Sequence, residues 1–527
     1  MRTVVFTWLA LPALCVVAAF LYVVGFADNP AGFFLDESSI AYNAYTISKT
    51  GSDEHRVAWP LYFRAFGDYK NPTYIYILSA LFWLTGPSIL VARLLSASAG
   101  ILAGAVLGLL AARITRNSTI AWLTALSVLL TPWLFEHSRI VLELALYPLL
   151  LGFFLLCLHQ VSAKETWSRL EVMGLAVTLA LLTYTYSIGR LFAPLLALGL
   201  VVFCTRRGWR SVLRTWFAYG LTLIPLAIYS VTHPGALLGR FQSITYLDPE
   251  RGAVEIVLDF GRHYLGNWNL WRLLIGDPSR DEVTHIYGAE HFLAATLVLS
   301  ALGLWVVVRE RRDDPWWRFV LYAVVVAPIP ASLTNEYLHT LRLIPVPVLL
   351  LLLAIPGMQW LSARSPRTLF ILGLLTVIQG AIFQWKFHLR PTTAWRLHLY
   401  DAEYRSRIFD RAISSERRPI YIADSLGVPG YIQAYWYATL AGIDLSNLIR
   451  LPPDEAPPSG ALVITTEEHC LDCEILERVD PYLLYVANTP PRPRSPLPEE
   501  GFRADLTVIQ VPRTFLAGES AVLRVRV

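Results

Sequence analysis

Charge is what this chain has least of. Only 16% of its 527 residues are Asp, Glu, Lys or Arg, while 55% are hydrophobic, and mean hydropathy is +0.47. Soluble domains carry about 25% charged residues, so a water-soluble globular protein is excluded and an integral membrane protein is expected. Cysteine is scarce, with five in all. Cys15, Cys157 and Cys204 fall in apolar segments and read as packing residues. No long basic stripe with interleaved aromatics is present, and the formal charge is only +4, so nucleic acid is excluded as a partner.

What the chain has in abundance is long apolar runs and aromatics, 17 Trp and 25 Tyr, which suit the two interfaces of a bilayer. The first run, Val4 to Phe26, exceeds the ~7–15 residues of a signal-peptide core and reads as a retained span. A span needs about 20 apolar residues. Candidates are 4–26, 88–112, 118–135, 143–160, 170–187, 190–204, 214–231, 291–308, 316–333, 341–360 and 368–385, about eleven in number. The apolar stretch 73–85 is too short to cross and is expected to be a half-buried interfacial helix.

Charge sidedness supports that reading. With Arg2 in the cytoplasm, Arg113 and Arg116, the Arg206–Arg214 cluster, Arg309, Arg311, Arg312 and Arg318, and Arg364 and Arg367 all fall on one side, as the positive-inside pattern requires. Counting 73–85 as a span would invert the later loops. The expected fold class is therefore an all-α polytopic membrane domain, residues 1–385, with outer loops 27–87 and 232–290. Residues 386–527 form an outer soluble α/β domain. Alternating runs in the tail predict strands at 419–424, 461–466, 482–487, 506–511 and 521–527, with a helix at 429–440. No glycine-rich phosphate loop follows a strand there, so no nucleotide site is expected. Cys470-Leu-Asp-Cys473 reads as a local disulfide outside the cytoplasm, with a zinc site beside His469 as the lesser option. The expected location is the cell membrane, N-terminus inside and tail outside.

Topology gathers acids and bases at the outer ends of the spans. The adjacent carboxylates Asp36 and Glu37 follow span one, with Lys70 later in the same loop. Glu136, His137, Arg139 and Glu143 lie in the second outer loop. Arg190, His339 and Arg342 come from two further turns. Most charged helix ends in a polytopic protein are simply solvated. Glu143 and Arg190 adjoin spans, where a charge is costly unless it faces a polar cavity. Carboxylates serve an acceptor or a metal, and Lys and Arg serve a phosphate.

Four stretches, in this order and on one side, carry a resemblance. They are Phe33-Phe34-Leu35-Asp36-Glu37, Lys70-Asn71-Pro72-Thr73-Tyr74-Ile75-Tyr76, His137-Ser138-Arg139-Ile140-Val141-Leu142-Glu143 and His339-Thr340-Leu341-Arg342. Together they resemble the GT-C glycosyltransferases, in particular the protein mannosyltransferase and aminoarabinose transferase-like group. Asn71 departs from the Lys-Pro-Pro pattern of that group. The Trp-Trp-Asp signature of the oligosaccharyltransferase branch is not found in the tail, and the chain's only Trp pair, Trp316-Trp317, lies elsewhere.

The resemblance implies a polyprenyl-phosphate-sugar donor, a membrane-lipid environment, and a protein, lipid or glycan acceptor. It implies Asp36 as general base or metal ligand, Glu37 as its support or an acceptor contact, and Glu143 as a second acid. Lys70 would lie near the donor phosphate. Topology adds Arg190, Arg342, His339 and Arg139 to the phosphate site. A divalent metal between Asp36 and Glu143 is the open cofactor question. Tyr246, Trp268 and Trp271 are candidates for stacking on sugar or prenyl groups. The alternatives are a transporter or flippase of lipid-linked sugars, or an inactive binding protein. A transporter favours internal repeats and mid-span charges, which the sequence does not show.

Overall fold

The computed structural model describes residues 16–26, 29–248, 251–275, 285–286, 288–389, 394–424, 429–452, 455–466, 473–487, 507–510 and 524–526. Most of the first expected span and Cys470 lie outside these residues. Cys473 is disulfide-bonded.

Among the described residues five helices are long and apolar enough to cross a membrane: Ile89–Thr115, Glu143–Ser162, Trp209–Thr232, Pro345–Arg364 and Pro366–Leu389. Pro72–Thr85, Ser118–Leu130 and Gly189–Phe203 are shorter apolar helices. Other expected runs are shorter or divided helices among the described residues, and proline is part of the reason. The run 118–135 breaks at Thr131, before Pro132 starts a separate helix, Pro132–His137. The run 316–333 breaks near Pro328 into Pro315–Val326 and Ile329–Ser332. The ring removes an N–H and restricts the preceding residue.

Two helices of the bundle touch along their backbones. A Cβ on Gly303 would lie 1.7 Å from the Leu353 carbonyl oxygen, so Ala294–Glu310 meets Pro345–Arg364 through small residues, as membrane helices do. Pro366–Leu389 instead leaves Phe370, Ile371, Leu374, Ile378 and Ile382 exposed, a face suited to lipid.

One end of the bundle is built from loop one and the tail together. Helix Leu35–Thr50 is the first helix of loop one. It packs against Pro72–Thr85 and against tail helix Tyr431–Ala441. Between them lies a hairpin, β1 (Phe63–Ala65) and β2 (Asp68–Lys70), in register Phe63 to Lys70. Its turn residues Phe66 and Gly67 have φ of 55° and 75°, the paired positive values of a tight hairpin turn.

The tail sheet has the order β4–β3–β5–β7–β6, with β3 Ile420–Ala423, β4 Leu448–Leu451, β5 Leu462–Thr465, β6 Cys473–Val479 and β7 Tyr482–Ala487. β3 pairs in parallel with β4 and β5, and β7 pairs antiparallel with β5 and β6. Short strands at Thr507–Gln510 and Arg524–Arg526 form a separate pair. The apolar runs foretold β3, β5 and β7. The edge strands β4 and β6 were missed because exposed polar residues such as Arg450, Glu474 and Arg478 interrupt their pattern.

The tail and loop one share one core. Trp436 stacks on Phe33 at 5.6 Å and on Phe82 at 6.0 Å between ring centres. Buried Gln433 accepts from Ser38 Oγ (2.7 Å) and donates to the Phe33 carbonyl (2.8 Å) and to Asp401 Oδ2 (2.6 Å). Gly32, at φ 80°, lies so close to the tail that a Cβ would meet the Tyr400 carbonyl at 2.2 Å. The tail is therefore clamped onto the segment that delivers Asp36.

Candidate active site

Asp36 and Glu37 occupy the first turn of helix Leu35–Thr50 and face opposite ways. The helix turns about 100° per residue, so neighbours cannot share one environment. Asp36 keeps 38% of its side chain exposed and its Oδ1 accepts from Lys70 Nζ at 2.6 Å. Glu37 is fully buried. It accepts from the Phe34 N–H (2.9 Å), the Val141 N–H (2.9 Å), Arg93 Nε (3.3 Å) and Arg93 Nη2 (3.2 Å). Arg93 also donates to the carbonyls of Phe26, Pro30 and Gly32. The expected acceptor contact at Glu37 is not where the structure puts this side chain. It holds loop one, helix Ile89–Thr115 and the second outer loop together instead. Arg93 went unnoticed in the sequence because it lies inside an apolar run.

Lys70 ends the hairpin and points across to Asp36. Burial alone would lower its ammonium pKa. Asp36, and after it Glu143, outweigh that and hold it above its usual value.

Asn71 is the N-cap residue of helix Pro72–Thr85, yet its side chain makes no cap hydrogen bond. Its backbone N–H donates to Glu143 Oε1 and its Nδ2 donates to Glu143 Oε2 (3.3 Å). Its Oδ1 accepts from Arg190 Nη2 at 3.1 Å. The start of that helix is a favourable place for the Glu143 carboxylate. Arg190 also donates to the Leu237 carbonyl (2.9 Å) and lies over the Tyr62 ring at 4.9 Å. Consecutive residues thus take up both acids, Lys70 engaging Asp36 and Asn71 engaging Glu143. The departure from Lys-Pro-Pro is what makes the second link: a proline has no N–H to give.

Arg342 approaches from another turn. It donates to Thr334 Oγ1 (2.9 Å) and pairs with Glu336 (3.2 Å), which also pairs with His339 (3.2 Å). The Tyr186 hydroxyl lies within electrostatic reach of Arg342, Glu143, Asp36 and Asp68, so Arg342 borders the same cleft. Tyr186 belongs to the same turn as Arg190, one of the turns from which the sequence gathers polar groups.

Arg139 does not join this group. Fully buried, it donates to the carbonyls of Tyr22 (3.0 Å), Val24 (2.8 Å) and Asn29 (2.6 Å) and lies over Phe26 at 4.4 Å. Its guanidinium satisfies a helix end, which corrects its expected place at the phosphate. Glu136 likewise accepts from His285 Nδ1 (2.5 Å) and the Ile286 N–H (2.9 Å). Tyr246 is buried, donating to the Ser332 carbonyl at 2.6 Å. Trp268 packs on the main core, and Trp271 is exposed.

The donor set fits a divalent cation poorly. No group of three or more His, Cys, Asp or Glu side chains comes together among the described residues. Asp36 already faces an ammonium and Glu143 an amide, whereas hard cations take about six or more oxygens.

Comparison with known proteins bears on this cleft. Residues 63–234 match the family of dolichyl-phosphate-mannose-protein mannosyltransferases, a stretch that includes Lys70, Asn71, Glu143 and Arg190 and starts after Asp36. No curated protein matches the chain. The crystal structure of ArnT from Cupriavidus metallidurans bound to undecaprenyl phosphate is similar with a TM-score of 0.61 at 14% identity, over 92% of this chain and 98% of that one. ArnT from the same organism in the apo state gives 0.59 at 14% identity over the same shares. At such identity the likeness is one of fold, and it includes most of the chain. The fold is ArnT-like.

Proposed function

We propose that this chain moves a sugar from a polyprenyl-phosphate donor to an acceptor hydroxyl at the membrane face that carries Asp36. The observation that carries the reading is the arrangement of Lys70 on Asp36 beside Asn71, Glu143 and Arg190. It places one reachable carboxylate among cations suited to a phosphate. The undecaprenyl phosphate held by the ArnT of similar fold supports the donor class.

In the mechanism, the donor phosphate competes with Asp36 for the Lys70 ammonium. Once Lys70 moves toward the phosphate, Asp36 Oδ1 is free to accept the acceptor's proton. The acceptor oxygen then bonds to the anomeric carbon as the bond from that carbon to the phosphate oxygen breaks. The electron pair leaves with the polyprenyl phosphate, whose added charge Lys70, Arg190 and Arg342 stabilise. Preorganised cations at developing charge are often the largest catalytic term. The transition state is oxocarbenium-like, as in other glycosyl transfers. A single displacement inverts the anomeric centre. The phosphate leaves without a general acid, so one carboxylate suffices. Glu143 then acts through Asn71, holding the amide that orients Arg190.

The test is incubation of purified protein with a panel of polyprenyl-phosphate sugars, measuring release of polyprenyl phosphate. Asp36→Asn keeps the shape and removes the base, so release should slow roughly 10²–10⁴-fold. Near-wild-type release from well-folded Asp36→Asn rejects the assignment.

A further inference from the structure

A second polar cavity lies at the opposite end of the bundle. It encloses about 350 Å³ and is lined by His159, Ser162, Arg311, Asp314, Trp316 and Trp317, with Ile114 and Ala163 closing it. Its place follows from one helix. Glu143, at the candidate active site, and Ser162, at this cavity, are the two ends of the 20-residue segment Glu143–Ser162. At 1.5 Å per residue they are about 30 Å apart, the thickness of a bilayer's apolar core. The cavity therefore sits at headgroup depth on the face that the positive-inside pattern assigns to the cytoplasm.

Its chemistry is that of a phosphate site. Arg311 donates to Gln359 Oε1 at 2.6 Å and lies 5.8 Å from the Trp317 ring centre, which fixes the guanidinium at the wall. The His159 ring meets Trp316 edge-on at 4.9 Å, and Arg113 is within electrostatic reach of it. The Trp316 indole N–H is buried without a partner, and an unpaired donor in a wall is costly. The Ser162 hydroxyl lines the cavity with its own proton donated to the His159 carbonyl at 2.9 Å. The one carboxylate, Asp314, is exposed and caps its helix, accepting from the Trp316 backbone N–H at 2.9 Å. Nearby acids are matched, Asp313 by Arg318 (3.1 Å) and Glu310 by Arg364 (3.7 Å). Of the nearby arginines, Arg311 lines the cavity, Arg113 acts on His159 and Arg312 pairs with Asp313 at 3.8 Å.

We propose that this cavity binds the phosphodiester headgroup of an anionic membrane phospholipid. Basic pockets between spans on the cytoplasmic side recognise such headgroups. Here the two indole rings flank the Arg311 and His159 side chains. The inference does not depend on the transferase reading, because it concerns the other face of the bundle.

The test uses the full chain in phosphatidylcholine nanodiscs, with or without a minor fraction of phosphatidylglycerol, and with inorganic phosphate as a separate arm. Lipid retention is read by native mass spectrometry and thermal midpoint by intrinsic fluorescence. Phosphatidylglycerol should be retained and raise the midpoint, phosphate alone should not, and Arg311→Gln should weaken retention roughly tenfold, the loss of one charge-assisted hydrogen bond. Arg311→Lys, which keeps the charge, should retain the preference, and Ser162→Ala gives a milder second variant if Arg311→Gln folds poorly. Equal retention of the two lipids, an equal shift with inorganic phosphate, or undiminished retention in both Arg311→Gln and Ser162→Ala overturns the proposal.

Discussion

Glu37 is where the structure makes its sharpest demand. Glu37→Ala removes the acceptor of two backbone N–H groups and two guanidinium N–H groups at once. It strands the Arg93 charge, whose side chain is only 1% exposed. Breaking one partner of a buried ion pair costs about 3–5 kcal/mol, a large part of the roughly 5–15 kcal/mol that holds a typical domain folded. Glu37→Gln keeps the shape and an acceptor oxygen but loses the charge, so its cost should be smaller. The double variant Glu37→Gln with Arg93→Met removes both charges and should recover part of the loss, since an apolar replacement of a buried pair is often neutral. The assay is thermal unfolding in detergent alongside polyprenyl phosphate release measured well below the midpoint. We expect stability to fall in the order wild type, Glu37→Gln, Glu37→Ala, with activity following the folded fraction. Unchanged midpoints together with abolished release would refute the reasoning and make Glu37 a group that touches substrate.

Other consequences are as direct. Asn71→Ala frees Arg190 and loses the side-chain link to Glu143. Hydrogen bonds to charged groups contribute about 1.5–3 kcal/mol, so kcat/KM should drop roughly 10–100-fold; Asn71→Pro should lose more, since it also removes the N–H that Glu143 accepts. Trp436→Ala opens the interface between tail and loop one and should cost about 3–5 kcal/mol, read as a lower midpoint and faster proteolysis of the tail. Asp401 sets a pH dependence. Burial pushes its carboxyl up to about 7, against the hydrogen bonds from Gln433 and Tyr482. The folded state thus keeps a proton that the unfolded chain releases, and stability falls as pH rises from about 4 to about 7. Asp401→Asn keeps the acceptor oxygen and should flatten that slope in thermal midpoints measured between about pH 5 and pH 8.

Local pattern settled much of the fold in advance. The short helix 73–85 was legible from its length, and β3, β5, β7 and helix Tyr431–Ala441 from their apolar runs, because such patterns depend on neighbours a few residues away. Broken spans were less legible, since hydropathy averages across a proline. For the cleft, the sequence singled out Asp36, Lys70, Glu143, Arg190 and Arg342. It did not separate them from Arg139, because all are charged groups at helix ends.

By itself, then, the sequence determined that the chain is a multi-pass membrane protein and which polar groups stand at its helix ends. Those properties follow from composition and counting. Tertiary structure alone decided the partners. Asp36 and Glu37 are neighbours in the chain, yet one turns to the cleft and Lys70 and the other inward to Arg93, because a helix rotates each residue about 100° from the last. Asn71 looked like a flaw in a motif until the fold brought Glu143 and Arg190 to either side of its amide. Contacts between residues 34 to 119 positions apart are set by how helices and hairpin pack, and no local pattern encodes them.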